Sequence, residues 1–381
     1  MPDIKNNLPL SYIELSKKNL IHNIKQFRNL AKRGTKISVA IKGNAYGHGQ
    51  NEIAKILELY ADYFQVNSVE ELELLRQISK KKTLVLGYVK NSDILRAIKL
   101  GSVIAVFSVE QLDEINKISK KIKKMQEICV PIDAYLGREG FLTSELPKFF
   151  KKLKKYEYIK LSGVYAHFAN IEDTNSFSHA EKQIKKYEET VKLAEKFGFK
   201  NLQTHISGTS GLLVYEKSFG IHPLIRLGIG VYGMWPSENI KKMYKNKIKL
   251  KPALSWKTKI AQVKILPKGS TVGYGLTHIT KKKTKIAVIP QGYADGFDRG
   301  LSNKGEVLIG GARCKIIGRV SMNMFTVDVS HLSNAKIEDE VIIIGMQGRE
   351  RITAEDIAKK IGTINYEIIT RISPLLSRVM S

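Results

Sequence analysis

Short apolar segments alternate with amphipathic helical segments along the first two-thirds of the chain. The apolar segments are rich in β-branched residues, and the helical ones carry apolar residues three or four positions apart, as in 109–124 and 179–198. Such alternation predicts a parallel sheet covered by helices. Eight strand–helix units favour a (β/α)8 barrel, and an open doubly wound sheet is the alternative. The predicted strands are 37–41, 63–66, 83–87, 103–107, 128–135, 163–168, 202–207 and a run around 224–233.

The pattern changes after about residue 245, where short strands are separated by turns rich in glycine, proline and lysine. This region, 245–381, is predicted to be a mainly-β C-terminal domain that follows a barrel at 17–244. The segment 1–16 contains a strand-like SYIELS, which we expect to pack with the C-terminal domain. One late helix is also predicted, because Thr353 and Asp356 have capping-box spacing.

One lysine stands at the end of the first predicted barrel strand. Residues 39–50 read VAIKGNAYGHGQ, in which Lys42 follows an apolar run. The carboxyl ends of barrel strands carry active-site residues. A lysine that is partly desolvated there has a lowered pKa and can form a Schiff base with a carbonyl cofactor. The alternative is a strand-end lysine whose aliphatic stem covers apolar surface while its ammonium group stays in water.

The segment VAIKGNAYGHG resembles the pyridoxal-phosphate attachment motif of the alanine racemase family, in which the lysine carries the cofactor. Further segments resemble the same family, in the same order and at similar separations: GVYAHFA, IRLGIGVYG, PALSWKT, VGYG, PQGYADG, IIGRVSMNM and INYEIITRISP. The resemblance covers almost the whole chain. It implies a barrel followed by a β domain, pyridoxal 5'-phosphate as cofactor, and interconversion of L-alanine and D-alanine, which supplies D-alanine for cell-wall peptidoglycan.

Racemisation of an amino acid requires removal of the Cα proton and delivery of a proton to the opposite face. The cofactor supplies the electron sink. The protein must supply two bases, because the proton leaves from one face and returns to the other. By resemblance these are Lys42 and Tyr274, and Tyr274 reaches the site from the second subunit of a homodimer. A phenol is a weak base at neutral pH and needs positive neighbours. His167 matches the residue that contacts this tyrosine.

The resemblance also implies which residues hold the cofactor. Arg226 matches the residue that faces the pyridine nitrogen, and a guanidinium has only donors, so it cannot protonate that nitrogen. His205 matches a residue that supports Arg226. Hydroxyl groups and main-chain amides after a barrel strand suit a phosphate dianion. The phosphate site is expected to comprise Tyr46, Thr209, Gly228, Ile229 and Tyr366.

Three residues are implied to contact or surround the substrate. Arg138 matches the residue that contacts the cofactor oxygen and the substrate carboxylate. Met322 of the second subunit is expected to offer its backbone amide to that carboxylate. Tyr293, also from the second subunit, is expected to narrow the passage through which the substrate enters. A narrow passage fits a small amino acid such as alanine.

The sequence departs from the family pattern around the substrate. Pro131 stands where many relatives have a lysine that is often carbamylated, so Arg138 needs another partner. The tripeptide at 134–136 is Ala-Tyr-Leu in place of the usual Thr-Gly-Met, and Asn323 replaces a common aspartate. Gly208 and Thr209 stand where the family usually has asparagine and serine. These departures leave alanine specificity open.

Three other activities are compatible with parts of the pattern. A broad-spectrum racemase would also act on serine, lysine or arginine. A noncatalytic pyridoxal-phosphate carrier shares the barrel and the lysine but lacks the β domain and the second base. A decarboxylase of the same fold group usually has an acidic residue at the pyridine nitrogen, which Arg226 argues against.

The composition excludes several other classes. The net charge is +27, but the lysines are spread over the polar faces of helical segments, which favours a solvated surface over specific nucleic-acid binding. No apolar stretch approaches a membrane span, and no secretory signal is evident. Cys129 and Cys314 lie in separate apolar runs and predict buried thiols, with no metal site. We therefore expect a cytoplasmic enzyme.

Overall fold

The computed structural model describes residues 8–215 and 223–381, so the first part of the predicted N-terminal segment lies outside the described residues. The helices are α1 (Lys17–Leu30), α2 (Lys42–Tyr46), α3 (Gln50–Leu57), α4 (Val69–Arg76), α5 (Ile94–Lys99), α6 (Val109–Lys121), α7 (Leu146–Leu153), α8 (Ser178–Lys196), α9 (Thr209–Val214), α10 (Glu238–Tyr244), α11 (Ala354–Ile361) and α12 (Asn365–Thr370). The strands up to residue 227 are β1 (Tyr12–Leu15), β2 (Lys36–Ala40), β3 (Tyr63–Val66), β4 (Thr83–Val85), β5 (Val103–Ala105), β6 (Gln126–Pro131), β7 (Ile159–Tyr165) and β8 (Leu224–Leu227).

The later strands are shorter on average and more numerous. They are β9 (Leu254–Lys259), β10 (Gln262–Leu266), β11 (Thr271–Val272), β12 (His278–Ile279), β13 (Thr284–Ile289), β14 (Glu306–Ile309), β15 (Ala312–Lys315), β16 (Phe325–Asp328), β17 (Glu340–Gln347), β18 (Glu350–Ile352) and β19 (Ser377–Met380).

The chain divides into two compact units. The barrel unit comprises residues 18–43 and 50–251, and the β unit comprises residues 1–17, 44–49 and 252–381. The predicted domain boundaries after residues 16 and 244 stay predictions. Residues 44–49 belong to the β unit, although they lie between two segments of the barrel unit in sequence.

The barrel unit is built on a parallel sheet with the strand order β7-β6-β5-β4-β3-β2-β8. The segment 203–207 closes it, since His205 N donates to Val164 O in β7 and Arg226 N in β8 donates to Ser207 O. The predicted (β/α)8 barrel is therefore confirmed. The predicted strand 202–207 is wrong in extent, because only a single bridge, between Tyr165 and His205, forms there.

Apolar strand residues fill the interior of the barrel unit. One buried cluster joins side chains of several strands, namely Tyr63, Leu84, Val103, Ala105, Cys129, Tyr165 and Leu224. Burial on both faces explains why these strands are nearly continuous in apolar residues. The helices cover the outside, and the boundaries of α6 and α8 fall within three residues of the predicted ones.

The β unit is mainly antiparallel. Its larger sheet has the order β15-β14-β17-β9-β1-β19, with β18 paired to β17, and a smaller sheet has the order β10-β13-β16. The strand β1 pairs antiparallel with β9 and parallel with β19. A mainly-β C-terminal domain, as predicted, is confirmed. Its core includes Trp256 and Phe325, which both pack against Phe297.

The helix α11 begins at a complete capping box. Thr353 Oγ1 accepts from Asp356 N at 3.1 Å, and Asp356 Oδ2 accepts from Thr353 N at 2.9 Å. Gly362 ends the helix in the left-handed conformation at φ 78°. We therefore expect Thr353→Ala to lower the free energy of unfolding by about 1 kcal/mol, measured by urea denaturation. Lys359→Ala, an exposed change in the same helix, is the control, and an equal loss in both variants would contradict the capping argument.

None of the described helices is both long and apolar enough to span a lipid bilayer.

Candidate active site

The predicted residues of the barrel unit lie at the carboxyl ends of its strands. Lys42 lies two residues after the end of β2, His167 lies two residues after the end of β7, and Arg226 is the third residue of β8. His205 lies at the bridge between β7 and the closing segment. Because the carboxyl ends of parallel strands meet at one face of a barrel, residues far apart in sequence lie together there.

Arg226 is buried and lies at the centre of this group. Its Nη1 donates to His205 Nδ1 in a short contact and to His205 O at 3.1 Å. Its Nη2 donates to Ala166 O at 2.7 Å and to His167 Nδ1 at 3.4 Å. The Nε–H has no acceptor among the described residues. Four of the five N–H groups are thus fixed by protein acceptors, and one donor is left for a ligand.

These hydrogen bonds define the protonation of two histidines. A guanidinium only donates, so Nδ1 of both His205 and His167 must accept and carry no proton. Each neutral ring then has its proton on Nε2. For His205 that proton faces Cys129 Sγ, at 3.7 Å from Nε2. Burial raises the pKa of the Cys129 thiol to about 12, so the sulfur stays a neutral acceptor.

A tyrosine ring supports the same pair. Tyr165 stacks on His205 with ring centroids 5.1 Å apart, and the Arg226 guanidinium carbon lies 5.2 Å from the Tyr165 centroid. Burial raises the pKa of the Tyr165 phenol. This packing fixes the plane of the imidazole and, through it, the guanidinium.

Lys42 lies in an environment that favours its neutral amine. Desolvation lowers its pKa most, and the cations Arg138 and Arg226 lower it further, whereas Glu71 and Glu139 oppose them. No carboxylate lies within ion-pair distance of the Lys42 ammonium in residues 8–215 and 223–381. An amine with a lowered pKa and no carboxylate partner is suited to nucleophilic attack.

The backbone after Lys42 is left-handed. Gly43, Asn44, Ala45 and Tyr46 have φ of 59°, 52°, 53° and 53°, so α2 is a turn of left-handed helix. Such consecutive residues are strained unless other contacts fix them. In the barrel unit, Glu71 Oε1 accepts from Gly43 N at 2.7 Å, and its Oε2 accepts from Asn67 N at 2.6 Å. Glu71 therefore anchors the chain next to Lys42.

We expect Glu71→Gln to lower the free energy of unfolding by about 1–3 kcal/mol, because an amide NH2 would face a backbone N–H in place of one charged acceptor. Losing the carboxylate charge also lowers the pKa of Lys42 further, since Glu71 raises it. Urea denaturation measures the first effect. The matched control is Glu70→Gln, which removes an exposed ion pair with Arg96 and is expected to cost less than about 1 kcal/mol. Equal costs for the two variants would disprove the anchoring role.

His167 is held neutral by its surroundings, although the residue is exposed in part to solvent. Desolvation by the surrounding protein and the charges of Arg226, Arg138 and Lys42 lower its pKa to about 3, against a smaller opposing effect of Glu139. It is therefore an acceptor at Nδ1 and a donor at Nε2 throughout the neutral range.

The loop after β6 carries Arg138. Pro131 is the last residue of β6, and its carbonyl accepts from Phe141 N at 2.9 Å. The charged partner of Arg138 is the adjacent Glu139. Arg138 Nη2 donates to Glu139 Oε1 at 2.8 Å, and Arg138 Nε donates to Glu139 Oε2 in a shorter contact. Glu139 is the one carboxylate that Arg138 contacts in the described parts of the chain.

A small group of hydrogen-bonding atoms lies after β8. Thr209 Oγ1 accepts from Gly228 N at 3.4 Å and from Gly230 N at 3.3 Å, which leaves its own proton available. The Ile229 N–H has no protein acceptor among the described residues. A side chain at Gly230 would collide with Phe27 and Thr209, so glycine is required there. Gly228, Ile229 and Thr209 are thus brought together.

In the β unit, Tyr46 and Tyr366 are brought together. Their ring centroids lie 6.0 Å apart. A Cβ at Gly47 would lie 1.8 Å from Ile369 O in α12, and Arg378 Nη2 donates to Gly47 O at 2.7 Å. The segment 44–49 is therefore packed closely against α12 and the final strand.

Tyr274 lies on an exposed turn of the β unit. Its side chain is 73% exposed, and the flanking Gly273 and Gly275 have φ of 73° and 70°. A Cβ at Gly275 would lie 3.0 Å from the Arg319 guanidinium. The two glycines thus permit a tight turn over Arg319 that presents the phenol to solvent in the protomer.

Tyr293 and Met322 are also neighbours in the β unit. Tyr293 N donates to Ser321 O, and Ala294 N donates to Met322 O at 2.9 Å. A Cβ at Gly292 would lie 2.3 Å from Met322 O, so the two loops contact each other through backbone. The Met322 N–H has no acceptor within the described ranges, and both side chains are exposed.

The sequence patterns did not identify four residues that contact the site. Cys129 and Tyr165 support His205, and Glu71 and Glu139 are the carboxylates that act on Lys42. The sequence did contain a signal for Glu71, because a glutamate three residues after Ser68 has the spacing of a helix capping box. The others depend on contacts between separate strands or within a loop. In the described ranges, no group of three or more His, Cys, Asp or Glu residues forms a candidate metal site.

Comparisons with known proteins agree on one family. The family model of the alanine racemase N-terminal domain matches residues 15–236, and that of the C-terminal domain matches residues 253–380. The alanine racemase of Leptospira interrogans is 35% identical, over 97% of this chain and 95% of that protein. The solved structure of the Clostridium difficile 630 alanine racemase has a TM-score of 0.91 at 34% identity and covers 98% of this chain and 96% of its own. The solved structure of the Bacillus anthracis alanine racemase with bound L-Ala-P has a TM-score of 0.91 at 33% identity. The match covers 98% of this chain and 95% of that one.

Proposed function

Because this chain belongs to the alanine racemase family, we propose that it interconverts L-alanine and D-alanine with pyridoxal 5'-phosphate as cofactor. The observation that carries this proposal is the arrangement around Arg226. A buried guanidinium with a single N–H left over lies in the same unit as a lysine whose pKa is lowered by burial and by that guanidinium. The pair is suited to a cofactor that needs an amine at one end and a donor at its ring nitrogen.

The residues of each unit fit pyridoxal 5'-phosphate. In the barrel unit, Lys42 would attach the aldehyde carbon, and Arg226 Nε would donate to the pyridine nitrogen. Thr209 and the Ile229 amide would donate to the phosphate, because both have a proton without a protein acceptor in the described residues. In the β unit, Tyr46 and Tyr366, whose rings lie near each other, would contribute their hydroxyls. When bound, the cofactor supplies an electron sink for the substrate carbanion.

Lys42 and Tyr274 act as the two bases. Lys42 Nζ, once free of the cofactor, removes or returns the Cα proton on one face of the substrate, and its lowered pKa keeps the amine available as a base. Tyr274 Oη serves the opposite face. Because removal and return must occur on different faces, either residue alone supports proton exchange but not efficient racemisation.

Arg226 would limit how far the cofactor ring withdraws electrons. A hydrogen bond donated by its Nε would leave the ring nitrogen without a proton, since a guanidinium keeps its own. His205 and His167 hold the guanidinium through unprotonated Nδ1 atoms, and neither ring is a proton source toward it. The bound cofactor would then be a weaker electron sink, which would restrict side reactions and favour simple proton return.

The substrate carboxylate is bound by Arg138 and by the backbone amide of Met322. The amide has no protein acceptor in the described ranges, and the exposed Tyr293 lies beside it to narrow the passage. Tyr274, Met322 and Tyr293 come from the second subunit. All three are exposed in the protomer, as are the apolar Leu276 and Met324, which supports a surface that a second copy covers.

We further propose that the protein is a cytoplasmic homodimer that provides D-alanine for peptidoglycan. A dimer that completes each active site loses activity when it dissociates. The specific activity is therefore expected to fall on dilution in parallel with the change from dimer to monomer in analytical ultracentrifugation. Full activity of the monomer would exclude a shared site.

The proposed activity is tested by Cα proton exchange in deuterium oxide together with enantiomer analysis. L-Alanine, L-serine, L-lysine and L-arginine are each given to the cofactor-loaded protein. Fast exchange and D-product for alanine alone is the expected result. Similar rates for the larger amino acids would indicate the broad-spectrum racemase. Bound cofactor without exchange for any of them would contradict the racemase and favour a carrier.

A further inference from the structure

The loop after β6 is a closed and well-anchored turn. Ile132 forms a bridge with Phe141, and Asp133 N donates to Phe141 O at 3.1 Å, so the loop is closed at its base. Asp133 Oδ1 accepts from Leu136 N at 2.9 Å and from Gly137 N at 3.0 Å. The positions of the residues at its tip are therefore determined by the backbone.

Two glycines give this tip an unusual side-chain arrangement. Gly137 and Gly140 have φ of 69° and 116°, and a Cβ at Gly140 would lie 2.6 Å from Asp133 N. Consecutive side chains normally point apart in strands and do not face each other in helices. Between these two glycines, however, Arg138 and Glu139 face each other and form a two-point ion pair.

The ion pair occupies one edge of the guanidinium. Glu139 takes Nε and Nη2 of Arg138, and Nη1 makes no hydrogen bond within the described ranges. A guanidinium has two edges that can each bind a carboxylate with two parallel hydrogen bonds. The Nη1 side of Arg138 is thus left free for a second carboxylate.

The charge of Glu139 acts on the rest of the site. It raises the pKa values of Lys42 and His167 and opposes the burial that lowers the pKa of Arg226. Its side chain is 30% exposed, whereas that of Arg138 is 62% exposed. Exposed ion pairs contribute little to stability, so the pair needs another explanation than fold stability.

We propose that Glu139 is the positioning residue of Arg138: it binds the Nε–Nη2 edge so that Nη1 is presented to the carboxylate of the amino-acid substrate. This inference rests on the proposed function for the identity of that carboxylate. The site would then recognise the acid group of the ligand through Arg138, whose other edge is already bound by Glu139.

Binding of propionate tests the role without turnover. Propionate has the acid group of alanine but no amine, and ethylamine has the amine but no acid group. We expect Glu139→Gln to weaken propionate binding to the cofactor-loaded protein by about 10-fold, measured by calorimetry, because the amide no longer fixes both donors. Binding of ethylamine, followed by cofactor absorbance, is expected to change less than about 2-fold. Equal weakening of both ligands, or of neither, would overturn the proposal.

A second variant separates positioning from a general structural defect. In an Arg138→Gln background, Glu139→Gln is expected to have no further effect on propionate binding, since the edge it holds is gone. Additive effects would show that Glu139 acts independently of Arg138. Glu350→Gln, which removes a comparable exposed pair with Arg313 in the β unit, is the matched control and is expected to leave both ligands unaffected.

Steady-state kinetics gives a third readout. Glu139→Gln is expected to raise KM for L-alanine about 10-fold with kcat changed less than about 3-fold, as for loss of ground-state carboxylate binding. If the wild-type protein proves to racemise no amino acid, the proposed function fails, but the propionate comparison still tests Glu139. A loss of kcat with unchanged KM would contradict the positioning role.

Discussion

Lys42→Ala is expected to reduce alanine racemisation by at least about 10³-fold, because the change removes both the proposed cofactor attachment and one of the two proposed bases. Burial, Arg138 and Arg226 lower the pKa of the Lys42 amine. An ordinary surface lysine stays protonated at neutral pH and therefore could not take over its role. Proton exchange at Cα and formation of D-alanine measure the effect. Borohydride reduction followed by mass spectrometry shows whether the cofactor is bound covalently.

A lysine of the same strand provides the control. Lys36 begins β2, at the opposite end from Lys42, and is exposed. Lys36→Ala is expected to keep both racemisation and the covalent cofactor. If Lys42→Ala remained fully active, or if reduction still attached the cofactor to the variant, the assignment of Lys42 would be wrong.

Tyr274→Phe is expected to lower racemisation by about 10²- to 10⁴-fold while the cofactor stays bound, since only the hydroxyl of one proposed base is removed. Racemisation is slowed equally in both directions, since the two enantiomers have the same free energy, but Cα proton exchange is expected to differ between them. Lys42 still serves one face of the substrate, so Cα exchange persists for one enantiomer and is lost for the other. Exchange followed separately for L-alanine and D-alanine in deuterium oxide measures this asymmetry.

Another exposed tyrosine shows whether the effect is specific. Tyr88 is 63% exposed in the barrel unit, and Tyr88→Phe is expected to retain full activity. Equal loss of exchange for both enantiomers in Tyr274→Phe would indicate that the tyrosine orients the substrate and is not a base for one face. Unchanged racemisation would remove it from the mechanism.

The strands of the barrel and several helices were predictable because their signals are local. The apolar strands and the helical periodicity of α6 and α8 follow from residue spacing, and Thr353 with Asp356 fixes the start of α11. The prediction failed in detail at 202–207, where only His205 forms a bridge. There backbone groups of Gln203, His205 and Ser207 do bond to neighbouring segments, but their pairing amounts to one bridge and not to a regular strand.

The site was predictable only in part. The family resemblance pointed to Lys42 and Arg226, whose positions next to β2 and within β8 follow from the strand pattern. It gave no partner for Arg138 once Pro131 had replaced a lysine. That partner is the adjacent Glu139, a residue that ordinary helix or strand geometry would have directed elsewhere.

The sequence alone thus determined the order of strands and helices, the two-part architecture and the candidate bases, because these depend on residue types and spacing. The tertiary structure decided which atoms are free to bind a ligand. The Nε–H of Arg226 is left over because His205, His167 and Ala166 occupy the other donors, and these residues come from the loop after β7 and from the closing segment 203–207. Which N–H donors are already hydrogen-bonded, and how far a pKa is shifted, depend on distances between groups that are far apart in sequence. The order of residues does not specify those distances.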